Sequence, residues 1–345
     1  MRRREFIAFV GYTVAVWPLA ARAEQSTMPV IGFLNSASPL PWENYVAGFR
    51  AGLKEIGYID GQNVAIEFRW AEGDYDRLPG LAADLVRHKV AVLVATGGSP
   101  SIMAAKAATA TIPIVFTTGF DPVRQGFVNS FSRPGDNITG VNLFVSAMES
   151  KRLGLLRALI PGVQLIAVLL NPTSPVHVEQ LREVQEAAGA VGQQIHIMLA
   201  SNVSDIDVAF ATAVRLHVGA MLVGSDPFFN SQRDKIIALA ARHTVPAIYE
   251  QREYALAGGL MSYGTNISVG YRQAGVHAGR ILKGEKPGNL PVVQSTKFEF
   301  LINLKTAKGH PISPLRRTRS SNRRANVCYW LADIQLALSN VRFRG

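Results

Sequence analysis

Short apolar runs that end in small and polar residues recur between Pro29 and Tyr263, and they alternate with stretches whose apolar positions fall three and four apart. "MPVIGFLNSASP" reads as a strand entering a polar loop. Trp42, Val46, Phe49, Leu53 and Ile56 then share one helical face, and Gly57 stops that helix. "NVAIEFRWAEG" predicts a second strand, Leu78, Leu81 and Leu85 a second helix, "VAVLVATGGSPS" a third strand and "IPIVFTTGFDPV" a fourth. Strand and helix in strict alternation imply parallel α/β architecture.

After "PGDNITGVNLF" the order restarts. "LIAVLLNPTSP" mirrors "VIGFLNSASP", "VGAMLVGSDPFF" mirrors "VAVLVATGGSPS", and "VPAIYEQREY" mirrors "IPIVFTTGFDP". The pattern predicts an α/β protein of two Rossmann-like lobes joined by a hinge. In open parallel sheets ligands bind beyond the carboxyl ends of the strands, so the polar loops of both lobes are expected to face one crevice. A third stripe, Ile267, Tyr271, Ala274, Ala278 and Ile281/Leu282, predicts a helix, and the alternation of Phe298, Phe300 and Ile302 predicts a strand. Reading Gly258 to Gly264 as a crossing back to the first lobe puts the hinge near residues 142 and 262. The first lobe is then 28–142 plus 263–308, the second 143–262, and 309–345 an atypical basic tail.

Charge invites one alternative and weakens it. The 345 residues carry a net +11, but residues 1–24 contribute +2 and residues 310–345 contribute +6, leaving +3 for the body. Its bases are scattered without a basic stripe or interleaved aromatics, so no nucleic-acid partner is expected. The tail could itself bind acidic lipid or nucleic acid, the alternative to an out-of-frame or fused extension. The single Cys328 excludes an internal disulfide. At the other end, a basic start, an apolar run from Phe6 to Leu19 and Ala21-Arg22-Ala23 make residues 1–24 an export signal with a cleavage site. Arg3-Arg4-Glu5-Phe6 is similar to the twin-arginine variant, which implies a periplasmic protein. The run is too short for a spanning anchor, the competing reading.

"TGGSPS" lacks the Lys-Ser/Thr of a phosphate loop, the spacing of a dinucleotide fingerprint and the frame of a hydrolase elbow. The seven His show no metal-ligand spacing. With no nucleophile–base pair, metal set or cofactor loop, an α/β enzyme is disfavoured and no cofactor is expected. What remains is a glycine-opened strand end whose N–H groups, with the Ser99 and Ser101 hydroxyls, form an anion seat for a small, non-phosphorylated ligand.

"TTGFDPVRQGFVNSFSRPGDNITGV", "AGGLMSYG" and "RILKGEKPGNLPVVQSTKFEFLINLKTAK", with the leader, resemble bacterial ABC-transporter substrate-binding proteins of the tryptophan/tyrosine-binding type over about residues 28–308. The resemblance implies a type I periplasmic binding fold, a Venus flytrap closing on an amino-acid-like solute, and a membrane permease as partner. Carried onto this sequence, it implies ligand contacts at Asn35 and Ser36, at Gly97, Gly98 and Ser99, and at Asp121 from the first lobe. From the second lobe it implies Asn171, Ser225 with Asp226, and Tyr249 with Glu250. Asp121 and Asp226 precede proline and could equally serve as turn or helix caps, and Tyr249 could be core. The resemblance stops after Lys308, where the tail begins. A monomer is expected. A sensing module docking a signalling receptor is the alternative to a transport role.

Overall fold

The computed structural model describes residues 28–143, 148–160, 162–295 and 298–310, and the backbone of 321–322 and 327–330. The leader expected over 1–24 and most of the tail lie outside these residues.

The first lobe begins β1 (Val30–Asn35), α1 (Pro39–Glu55), β2 (Ala65–Trp70), α2 (Leu78–Arg87), β3 (Val92–Thr96), α3 (Ser99–Ala108), β4 (Ile114–Thr118) and β5 (Ile138–Asn142). The second runs α4 (Glu149–Leu159), β6 (Leu165–Leu170), α5 (His177–Ala190), β7 (Gln194–Leu199), α6 (Val203–Arg215), β8 (Ala220–Val223), α7 (Pro227–Ser231), α8 (Arg233–Arg242), β9 (Ala247–Tyr249), α9 (Arg252–Leu256) and β10 (Met261–Thr265). The chain then returns to the first lobe as α10 (Ile267–Leu282) and β11 (Val293–Gln294), and to the second as β12 (Phe298–Asn303) and α11 (Leu304–Ala307). One sheet has the order β11-β5-β4-β3-β1-β2 with every pairing parallel. In the other, β10-β9-β8-β6-β7 is parallel and β12 lies antiparallel along β10.

Strands β1, β3 and β4 read as continuous apolar runs because helices cover both faces of the sheet. Phe33, Val94, Trp42, Phe49 and Tyr271 pack on one face, and Leu34, Leu85, Leu93 and Phe116 on the other. The sheet of the second lobe is likewise packed on both sides. The first and third predicted stripes fall on α1 and α10, which pack directly on each other. Glycines allow that approach: a Cβ at Gly52 would collide with the Arg272 carbonyl, and one at Gly275 with the Phe49 carbonyl.

The expected boundary shifts. β10 pairs Met261 with Ile248 and Ser262 with Tyr249, so Gly258–Gly264 is not the crossing, and α10 begins the return after Thr265. Phe298–Asn303 is a strand as predicted but belongs to the second lobe, because its ladder is with β10. The chain therefore passes between the lobes three times, after β5, after β10 and after β11. Two backbone carbonyls tie these crossings together, Leu143 accepting from Thr265 Oγ1 at 2.9 Å and Asn142 from Ser295 N at 2.9 Å.

The tail, too, meets the second lobe rather than the first. β13 (Ser321–Asn322) pairs with β14 (Val327–Trp330), which runs antiparallel along β12 from Phe300↔Trp330 to Asn303↔Val327. Without it β12 would be an open sheet edge.

Candidate functional site

The carboxyl ends of the two sheets face each other across a cleft that is partly open to solvent. From the first lobe, Gly97 and Gly98 follow β3, Thr117 lies near the end of β4 with Gly119 and Phe120 just after it, and Leu143 follows β5. Trp42 projects from α1, and Ile267 and Tyr271 from α10. From the second lobe, Ser225, Asp226 and Pro227 follow β8, and Glu250 and Gln251 follow β9.

The first lobe supplies an aromatic wall. Trp42 Nε1 donates to Tyr271 Oη at 2.7 Å, and Tyr45 stands edge-on to Trp42 with ring centres 5.6 Å apart. Such a wall offers a large, rigid apolar surface with its polar atoms already paired. Beside it, Gly97 takes φ +80°, and a Cβ there would lie 2.6 Å from both Asn35 Oδ1 and Ser36 Oγ. Asn35 and Ser36 build that turn: Asn35 Nδ2 donates to Thr96 Oγ1 at 2.8 Å, its Oδ1 accepts from Ala37 N at 2.7 Å, and Ser36 Oγ donates to the Gly97 carbonyl at 2.6 Å. The turn presents the N-terminus of α3, where unpaired N–H groups and the helix dipole favour an anion. Ser99 and Ser101 hydroxyls are buried there without a hydrogen-bond partner among the described residues.

Opposite stands Asp226. Its Oδ1 accepts from Tyr75 Oη at 2.9 Å, Asn171 Nδ2 at 3.0 Å and Phe228 N at 2.9 Å, the last capping α7. Its Oδ2 is buried and has no hydrogen-bond partner among the described residues, and the residue lines the cleft. Burial raises the carboxyl above its usual range, against hydrogen bonding from Asn171, Tyr75, the Phe228 N–H and Ser174, which lowers it. One oxygen is thus fixed by the protein and the other is available to a cation.

Behind the cleft, Arg152 is fully buried. It pairs with Glu149 at 3.0 Å and donates to Ser225 Oγ at 3.1 Å and to the Tyr263 carbonyl at 2.9 Å. Glu250, half-buried, is raised by desolvation to about 6, while the Arg152 charge and a hydrogen bond from Ser225 oppose the shift.

Five residues carried over from the resemblance meet in this cleft: Gly97, Gly98, Ser225, Asp226 and Glu250. The other six stand behind it. Asn35 and Ser36 hold the Gly97 turn, Ser99 lies in the first turn of α3, and Asn171 buttresses Asp226 while accepting from Thr173 N at 3.0 Å. Asp121 caps a turn through Val123 N at 2.9 Å, and Tyr249 stacks on Tyr254 at 4.4 Å in the core of the second lobe. Trp42, Tyr271, Phe120 and Gln251 also line the cleft, and the sequence does not mark them as site residues. The first two are legible only as members of helical stripes, although both sit in the early turns of helices that start at the cleft.

The lobes touch. Tyr75–Asp226 crosses the cleft, Tyr45 Oη donates to Gln251 Oε1 at 2.8 Å, and Gln125 Nε2 donates to Glu179 Oε2 at 3.1 Å. The structure is a closed one.

Residues 37–314 match the family model described as ABC transporter substrate binding protein. A tyrosine-binding protein of Clostridioides difficile (strain R20291) is 30% identical over 273 residues, 76% of this chain and 74% of the relative. A conserved domain protein from Vibrio cholerae superposes with a TM-score of 0.77 at 24% identity, over 83% of this chain and 96% of that one. An ABC domain in complex with L-Trp from Streptococcus pneumonia gives 0.74 at 24% identity, with the same coverage of 83% and 96%. A ligand-free, open substrate-binding protein from Clostridium difficile gives 0.59 at 24% identity, over 86% and 97%. Two-lobed, closed over an aromatic cleft and matched over most of its length, this chain belongs to the ABC transporter substrate-binding protein family.

Proposed function

We propose that this chain is an exported, periplasmic binding protein that closes on a small zwitterionic, amino-acid-like solute with an aromatic side chain and delivers it to an inner-membrane permease. The observation that carries the reading is Asp226, a cleft-lining carboxylate across from the α3 N-terminus whose Oδ2 is buried without a hydrogen-bond partner among the described residues. An amino acid brings an ammonium for the first and a carboxylate for the second. The Trp42–Tyr271 wall supplies an apolar, π-rich surface for the side chain. The tyrosine-binding relative and the L-Trp complex are consistent with this chemistry. Binding and release suffice for the role, which includes no catalytic step.

A thermal-shift screen of the mature chain against the amino acids tests it. A ligand at about 100 times Kd adds about 2.7 kcal/mol of stability, so aromatic amino acids should raise Tm by several degrees. No shift with any amino acid at millimolar concentration would overturn the reading.

A further inference from the structure

Sheet order sets the direction in which a ligand lies. Gly97-Gly98 and Asp226 follow the middle strands β3 and β8. Phe120 follows β4, Leu143 follows β5 and Glu250 follows β9, each nearer the crossings between lobes. The carboxylate and ammonium of an amino acid share one carbon, so both must sit at the β3/β8 level. There the lobes already meet, for a Cβ at Gly98 would stand 3.5 Å from Pro227 Cγ. The side chain then points toward the crossings, among Phe120, Leu143 and Ile267, and in that apolar compartment stands one carboxyl group, Glu250.

Resting on the proposed function, we infer that Glu250 accepts a hydrogen bond from a polar hydrogen on the ligand's side chain, so that the cleft selects aromatic amino acids carrying a ring O–H or N–H over phenylalanine. Two features favour a neutral donor over a second cation. The positive charge of Arg152, buried behind the cleft, already acts on Glu250 and opposes the effect of its burial. Asp226 Oδ2, lacking any partner, is the better seat for the ammonium. A ligand without the ring hydrogen would leave a desolvated carboxylate facing hydrocarbon. Sites built to receive a hydrogen bond reject such analogues far more strongly than hydrophobic pockets reject a lost methylene.

Calorimetry on the mature chain at pH 8 with tyrosine, tryptophan, phenylalanine and lysine is the test. In the unaltered protein, tyrosine or tryptophan should bind at least about tenfold more tightly than phenylalanine. Glu250→Leu should erase that preference by weakening the preferred ligand while leaving phenylalanine within about threefold, and Glu250→Gln, which keeps a neutral acceptor, should retain part of it. Equal affinity for all three aromatics in the unaltered protein would overturn the inference without any variant. So would lysine as the tightest ligand, which would make Glu250 a cation seat, or an equal loss for every ligand in Glu250→Leu, which would make it the ammonium partner. If no amino acid binds the unaltered protein, the proposed function itself fails, and the inference with it.

Discussion

Asp226 divides its two oxygens between structure and ligand. Oδ1 caps α7 and receives Tyr75 and Asn171, and Oδ2 is buried without a partner among the described residues. Asp226→Ala should therefore separate two costs. Losing a cap removes about 1 kcal/mol of stability. Removing one partner of a pair that closure desolvates costs about 3–5 kcal/mol, or roughly 100-fold or more in Kd. Calorimetry with the best ligand of the screen reads the second and thermal unfolding the first. A change in Kd below about threefold would place the ammonium elsewhere. The sequence shows Asp226 at a strand end, and it shows Asn35, Asn171 and Tyr249 there equally well. What it does not show is direction. Asn35 turns back to Thr96, Asn171 turns sideways to Asp226, and Tyr249 enters the core against Tyr254. Trp42 and Tyr271 are concealed for the opposite reason: a cleft-lining aromatic in the early turns of a helix keeps the same spacing as the core residues below it.

At the scale of elements, the strand and helix order is legible because each apolar run and each stripe carries its own period. Two allegiances are not, since pairing partners are non-local. The sequence reads Gly258–Gly264 as a crossing and the alternation at Phe298 as a strand of no stated partner, and only the ladder between Met261–Thr265 and Phe298–Ile302 assigns both β10 and β12 to the second lobe. That ladder leaves β12 with an outer edge, which β14 covers. Ending the chain after Lys308 should thus lower Tm by a few degrees through the exposed edge, and leave ligand affinity within about twofold, because among the described residues the cleft lining ends at Tyr271. Unfolding and calorimetry of the shortened chain check both halves. Helix α5 carries a pH signature as well. Desolvation, then Glu179 and Glu149, raise Glu183 from 4.5 to about 7, while Arg182 and Arg124 oppose them. A carboxyl whose pKa is raised by folding binds its proton more tightly in the native state, so its contribution favours folding at low pH and is lost as pH rises from about 4.5 through about 7. Tm should fall across that window, and Glu183→Gln should flatten the slope. An unchanged slope in the variant would assign it to other groups, Glu250 first among them, since its carboxyl is raised to about 6.

Across the whole molecule, three crossing segments permit the lobes to rotate, and a small set of hydrogen bonds holds them shut. Tyr75–Asp226 and Tyr45–Gln251 span the cleft within 3 Å, and neither needs a ligand to form. Each intramolecular hydrogen bond adds about 1 kcal/mol net, a factor of roughly five in an equilibrium constant, so these latches tune the closure equilibrium without fixing it. A protein that binds in its closed form has an apparent Kd equal to the intrinsic value divided by the closed fraction. Tyr75→Phe and Tyr45→Phe should then weaken every ligand by about the same factor, near fivefold each where the open form dominates, and leave the order of preference among ligands intact. Scattering should show a smaller radius of gyration with ligand than without, and the ligand-free variants should be no more compact than the unaltered protein. The shared factor is the discriminating result. A latch acts on the lobes and is blind to the ligand, whereas a residue touching the ligand changes one affinity more than another. If either tyrosine alters selectivity, its hydroxyl belongs to the binding site, and closure must be held by the aromatic wall and the ligand alone.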